Sequence, residues 1–211
     1  NLSAISVKEV SAFGTIMEDY ENYGYVQQPG SMTLGNWTYS ILNSHGIVDD
    51  GMYIYIGMDP HLNNVLAFES YTHDPSTIQI KTTSNSPFKL EAFDAGLLEA
   101  PNGEDYSVTG YYNGIAVDGA YQQFMATPMT STSLIFTDPA WNKIDEIRIS
   151  PNSIISDATF YIDNFKVSEP TLTPTTTTIT GPSTAIAGED LWITATVTGA
   201  DDGTVQFFRN G

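Results

Sequence analysis

The stretch "YIDNFKV" (161–167) reads as a β-strand with a carboxylate in its middle. Side chains of an extended chain alternate between two faces. Tyr161, Asp163, Phe165 and Val167 would then share one face, and Phe160, Ile162, Asn164 and Lys166 the other. Both faces are partly apolar, which predicts a central strand. An unpaired charge in a sandwich core costs several kcal/mol, so Asp163 needs a partner or a proton. The anomaly recurs near the other end of the chain, where Glu18 in "GTIMEDY" (14–20) alternates with Ile16 and Tyr20.

Between these two stretches, runs rich in β-branched and aromatic residues follow at short spacing: 36–42, 51–58, 64–72, 77–82, 88–95, 106–117, 121–127, 132–138 and 143–150. Turn sequences separate them: "DDG" (49–51), "DAG" (94–96), "PNG" (101–103), "VDG" (117–119) and "SPN" (150–152). About eleven such strands with no sustained helical period predict an all-β sandwich.

Composition narrows the function. The 211 residues suffice for one sizeable domain, or for a domain and part of another. Seven basic residues face 25 acidic ones, a net charge of -18, which repels phosphate backbones and argues against nucleic acid while suiting hard cations such as calcium. There is no cysteine, hence no disulfide and no thiolate metal site. No apolar run approaches the roughly 18 residues of a membrane span. The sequence begins without Met or a hydrophobic leader, as a mature secreted protein or a fragment would, and sequons occur at Asn1 and Asn36. His45, His61 and His73 lack zinc-site spacing, and neither a GxSxG elbow nor a phosphate-cradling loop is present. Glu69 and Asp74 in "FESYTHD" come nearest to a hydrolytic carboxylate pair. The expectation is a module that is not itself an enzyme.

Composition changes at "SEPTLTPTTTTITGPST" (168–184), where Thr and Pro favour an extended connector. The predicted organisation is a sandwich over 1–168, a linker over 169–176 and a second unit over 177–211. The second unit offers strands at 190–199 and 204–211, with "TTTIT" preceding them. About 40 residues cannot close an immunoglobulin-type sandwich, so this unit reads as incomplete or as completed by another chain.

Two resemblances follow from quoted motifs. "TTTTITGPSTAIAGEDLWITATVTGADDGTVQFFRNG" resembles the opening half of a bacterial immunoglobulin-like repeat, a spacer on secreted or surface polypeptides. Residues 1–167 resemble the jelly-roll domains of carbohydrate-binding modules through "TIMEDYENYG", "SPFKLEAFDAG", "YSVTGYYNG", "WNKIDEIRIS" and "FYIDNFKV". The resemblance implies a jelly-roll β-sandwich, an extracellular or bacterial cell-surface location, and a polysaccharide or glycan as partner. It also implies a structural calcium. Such modules often hold one through an acidic residue after the first strand and an Asp in the last, which map onto Glu18 and Asp163, with Asp19 and Asn164 as neighbours. Calcium takes 6–8 oxygens, backbone carbonyls included, and would relieve the repulsion of two close carboxylates. The alternatives are that Asp163 caps a turn or meets Lys166 or Arg148, and that Glu18 faces water.

Sugar rings pack their C–H faces on aromatic rings, while amides bond their hydroxyls. The candidate ligand-binding residues are Tyr23, Tyr25, Trp37, Tyr53, Tyr55, Tyr112 and Asn113, with Gln122 and Gln123 nearby. Core or edge packing is the alternative for each ring, and Trp141 is read as a core anchor. The leading reading is a calcium-stabilised, glycan-binding adhesion module followed by an immunoglobulin-like spacer. A stalk, surface-layer or fibre subunit, pairing with neighbouring repeats or other copies of the chain, is the alternative, and a polysaccharide-active enzyme the second.

Overall fold

The computed structural model describes residues 15–49, 53–59, 63–69, 76–100, 102–152, 159–170, 176–182, 184, 190 and 192–198. Two compact units divide the chain, the larger being Phe13–Thr171. Its strands are β1 (Ile16–Glu18), β2 (Val26–Pro29), β3 (Ser31–Leu34), β4 (Trp37–Leu42), β5 (Tyr53–Asp59), β6 (Asn63–Glu69) and β7 (Thr77–Thr82). They continue with β8 (Lys89–Glu99), β9 (Glu104–Tyr112), β10 (Ile115–Ala126), β11 (Thr132–Ile135), β12 (Glu146–Pro151) and β13 (Thr159–Ser168). No helix among the described residues is long and apolar enough to cross a membrane.

The winding starts at a turn. Asn113 and Gly114 have φ of 51° and 77°, the pair of positive values that a two-residue type I′ turn requires. They fold β9 onto β10, where the sequence reading ran a single strand over 106–117. Outward from that turn the pairs nest: β8 with β11, β7 with β12, β6 with β13, all antiparallel. A long two-stranded ribbon rolled up in this way is a jelly roll, and it leaves two facing sheets. Their orders are β11-β8-β13-β6-β5-β2, with β1 also on β13, and β10-β9-β12-β7-β4-β3. The fold class expected from the sequence is the one observed. "VDG" at 117–119 is not a chain reversal but an irregularity inside β10, where the register shifts between Ala116 and Tyr121.

Aromatic rings fill the space between the sheets. Trp37 meets Phe88 and Phe165 edge-on, at 5.1 and 5.0 Å between centroids. Tyr106, Phe124 and Phe160 form a second group, with Tyr106 and Phe160 4.6 Å apart. Trp141, on a short 3-10 turn capped by the Asp138 carboxylate, lies 4.6 Å from Phe136 and is buried, as expected for an anchor.

The reading of "YIDNFKV" needs correction at one point. From Asp163 to Lys166 β13 advances three residues while its partner β8 advances two, from Asp94 to Ala92. The extra residue is a bulge, and Asn164 takes it up with φ 49°. A bulge slips the alternation by one. Phe160, Ile162, Phe165 and Val167 therefore all enter the core, while Tyr161 joins Val65 and Ala67 in a separate cluster on the outer face of the seven-stranded sheet. Asp163 follows Tyr161 outward. It does not share a face with Phe165 and Val167.

Tyr161 lies against Gly96. A Cβ there would stand 2.5 Å from the Tyr161 hydroxyl and 2.5 Å from the Thr130 carbonyl oxygen. Gly96→Ala is expected to lose about 1–3 kcal/mol by overpacking, or roughly 2–4 °C of melting temperature for each kcal/mol. An unchanged melting temperature would show that the segment carrying Thr130 yields freely.

In the smaller unit β14 (Thr176–Thr180) pairs with β15 (Thr194–Thr198) as an antiparallel hairpin. The predicted strand at 204–211 lies outside the described residues, as do His61, His73 and Asp74.

Candidate functional site

The outer face of the six-stranded sheet is built by strict alternation. On β12, Ile147 and Ile149 enter the core, and Glu146, Arg148 and Ser150 point the other way. On β7, Ile78 and Ile80 go in, and Thr77, Gln79 and Lys81 go out. On β9, Tyr106 and Val108 go in, and Ser107, Thr109 and Tyr111 go out. Residues directly opposite on neighbouring strands share a face. The outward set therefore forms rows across the sheet: Lys81, Glu146 and Tyr111; then Gln79, Arg148, Thr109 and Tyr121. A further row holds Ser150, Ser107 and Gln123, with the Thr77 hydroxyl 2.9 Å from that of Ser150.

Contacts within the rows fix the side chains. The Arg148 guanidinium lies 4.1 Å from the Tyr111 ring centroid, a cation–π arrangement. Its Nε donates to Glu146 Oε1 at 2.5 Å. Gln123 Nε2 donates to the Tyr121 hydroxyl at 2.8 Å, and the Tyr121 ring is 53% exposed at the open end of its row. The result is a polar surface with one aromatic ring beneath a cation and another presented to solvent. Hydroxyls, amides and an ion pair, all set in advance, suit a polyhydroxylated ligand.

None of the seven predicted ligand-binding residues lies in these rows. Trp37 is 1% exposed in the core and is corrected from ligand contact to packing. Tyr23 is half-buried and packs on the core, with its phenol pushed up by burial and then by the Glu18 charge. Tyr25 is well exposed beside β2 and donates to Gln27 Oε1 at 2.9 Å. Tyr53 and Tyr55 stand on β5 of the other sheet, where Tyr55 packs on the cluster around Tyr161. Tyr112 follows Tyr111 on the opposite side of the strand, with Lys143 Nζ 4.8 Å from its ring centroid. Asn113 occupies the turn, its backbone N–H donating to Asp145 Oδ2 at 2.8 Å. Of the two amides noted nearby, Gln123 faces outward and Gln122 does not. The outward rows are legible in "EIRIS" and "TIQIK": long polar side chains at every second position between isoleucines.

The acidic residues gather at a corner of the seven-stranded sheet. Glu18 pairs opposite Phe165 and so stands at the rim of the core face, half-buried. Asp163 lies on the outer face directly opposite Asp94 of β8. Both charges raise the phenol of Tyr20, which is buried against Tyr39, though burial itself is the larger cause. The strand pairing thus brings the two predicted ligands to one corner but onto different faces. Asn164 Nδ2 bridges the outer pair, donating to Asp94 Oδ2 at 2.8 Å and to Asp163 Oδ2 at 3.3 Å. The Ser133 hydroxyl donates to Asp94 Oδ1. Burial, and then the charges of Asp94, Glu21 and Asp19, push the Asp163 carboxyl up to about 6 against the lowering effect of the Asn164 N–H. Glu18 is raised by burial and then by Asp19. Among the described residues no three His, Asp or Glu side chains converge as a metal set, so a cation at this corner would draw on backbone carbonyls as well.

No family profile and no curated protein matches the chain. Among solved structures it is similar to the C-terminal family 22 carbohydrate-binding module of Clostridium thermocellum Xyn10B, at 12% identity over 74% of this chain and 94% of that one, with a TM-score of 0.44. It is similar to a family 29 carbohydrate-binding module from Piromyces equi, at 15% identity over 75% and 91%, with a TM-score of 0.43. It is also similar to the agarase AgWH50C, at 11% identity over 74% of this chain and 25% of that one, with a TM-score of 0.44.

Proposed function

We propose that the larger unit is a non-catalytic glycan-binding module of a secreted or cell-surface protein, and that its binding surface is the outer face of the six-stranded sheet. The observation that supports this is the set of polar rows running across β7, β12, β9 and β10, with Tyr121 exposed at their end. A sugar chain lying across them would meet hydroxyl and amide partners already in position, so little side-chain entropy is lost on binding. Tyr121 would take the apolar face of one ring. In isothermal titration against a panel of soluble plant, microbial and host polysaccharides, at least one should bind without turnover. Tyr121→Ala should weaken that binding by about tenfold, or ~1.4 kcal/mol. Absence of binding across the panel, or a Tyr121→Ala affinity equal to wild type, would refute the assignment.

The same reading includes a structural calcium held at the corner of Glu18 and Asp163, and an immunoglobulin-like spacer in the smaller unit. The calcium is supported by negative charge concentrated at that corner, where the groups acting on Asp163 are acids and an amide. The spacer is supported by the Thr-rich hairpin of β14 and β15.

A further inference from the structure

The chain has seven basic residues against 25 acidic ones, and their distribution is uneven. Lys8 and Arg209 lie outside the described residues. Lys89 and Lys166 are taken up by Glu91, at 3.7 and 3.1 Å. Of the other three, Lys81 and Arg148 stand on the face proposed to bind glycan, on adjacent strands one row apart, while Lys143 lies over Tyr112 on the other side of β9. Within those rows two cations stand with one acid, Glu146, in a molecule of net charge -18, and Asp118 lies exposed at the β10 irregularity that flanks them. The next acid along β9 on this face is Asp105, beyond the Ser107 row.

We propose, on the basis of the glycan-binding reading, that the ligand is an acidic glycan whose uronic-acid carboxylates are recognised by Arg148 assisted by Lys81. A guanidinium carries five N–H donors in a planar fork. Glu146 takes the Nε–H and Tyr111 covers one face of the plane, which leaves the pair of Nη groups to meet a carboxylate end-on. The acidity of the remaining surface does not oppose this at contact range. At physiological salt the screening length is about 8 Å, so distant charges are damped while a hydrogen-bonded pair is not. That acidity would instead discourage the polymer from settling elsewhere on the molecule.

The test uses polygalacturonate, alginate and glucuronoxylan, each native and with its carboxylates methyl-esterified, beside neutral mannan and mixed-linkage glucan. Titrations run at about 0.15 M salt. At least one native acidic polymer should bind about tenfold more tightly than its ester. Arg148→Gln should cost about tenfold on the native polymer, and the losses from esterification and substitution should combine to much less than a hundredfold, because both remove the same contact. Arg148→Lys, which keeps the charge but not the fork, serves if Arg148→Gln lowers the melting temperature, and it should lose most of the discrimination too. Equal affinity for acid and ester, or losses that multiply in full, would overturn the uronate assignment while leaving a glycan-binding face. Failure to bind any of these polymers, acidic or neutral, would overturn both.

Discussion

Trp37→Ala is expected to destabilise the larger unit by about 3–5 kcal/mol, as large-to-small changes at fully buried aromatics do. The side chain is 1% exposed, and its ring meets Phe88 and Phe165 at interplanar angles of 85° and 89°. Phe165 belongs to the opposite sheet, so the indole joins the two layers, and its loss opens a cavity that neither strand can close alone. Domains are stable by only about 5–15 kcal/mol, so the loss is a large fraction of the total. The melting temperature should fall by roughly 2–4 °C for each kcal/mol. Trp37 Nε1 has no hydrogen-bond partner among the described residues, so Trp37→Phe removes a polar group that they leave unpaired and should cost much less than alanine. Calorimetry on the pair decides the matter. If alanine cost under about 1 kcal/mol the packing argument would fail, and if phenylalanine abolished glycan binding at full stability Trp37 would touch ligand after all.

The acidic corner should respond to pH in opposite directions with and without calcium. Asp163 has its folded-state pKa raised from 3.8 to about 6. Between those values the unfolded chain binds fewer protons than the folded one, so stability falls as pH rises through that window. Asp163 is partly solvated, so the effect after screening is on the order of 1 kcal/mol, or about 2–4 °C. Glu91 is shifted the opposite way, lowered by the Ser168 hydrogen bond and then by Lys166, so it does not produce this slope. In chelator, then, the melting temperature should be higher at pH 5 than at pH 7.5. Calcium binds the deprotonated carboxylates, so adding it should reverse the slope. At a thousandfold excess over its dissociation constant it should add about 4 kcal/mol at the higher pH. Asp163→Asn should make the chelator profile shallower, leaving the part that the raised Glu18 contributes, and abolish the response to calcium. Identical profiles with and without the ion would remove calcium from the account.

Most of the strand pattern was readable because an amphipathic strand writes its alternation into the sequence. β7 was delimited at both ends, and β4, β6, β12 and β13 were found to within a few residues. β2 and β3 were missed, since "VQQP" and "SMTL" hold too few apolar positions to show a period. The hairpin at Asn113 and Gly114 went unrecognised although Asn-Gly is its chemical signature, because the run continued apolar on both sides. The slip at Asn164 could not be seen, since a bulge is defined by the partner strand's count and not by its own residues. Asp94 stayed hidden for the same reason: its proximity to Asp163 exists through pairing across 69 positions of chain. Trp37 was legible and misjudged, for Trp37, Tyr39 and Ile41 alternate on one side. The rows proposed to bind glycan are written in "EIRIS" and "TIQIK", whose Glu, Arg, Gln and Lys carry no aromatic signal.

The nested pairing also governs how the molecule can be made. β13 lies inside one sheet between β8 and β6, and β12 lies inside the other between β9 and β7. A nascent chain emerging from the ribosome therefore has two half-built layers with vacant central slots, one until residue 151 and the other until residue 168 has been translated. Closure then brings together segments separated by about a hundred residues, a topology that folds in milliseconds to seconds rather than microseconds. During that interval β6, β7, β8 and β9 each lack one of their two final neighbours, and the net charge of -18 opposes pairing of the open edges with those of other copies.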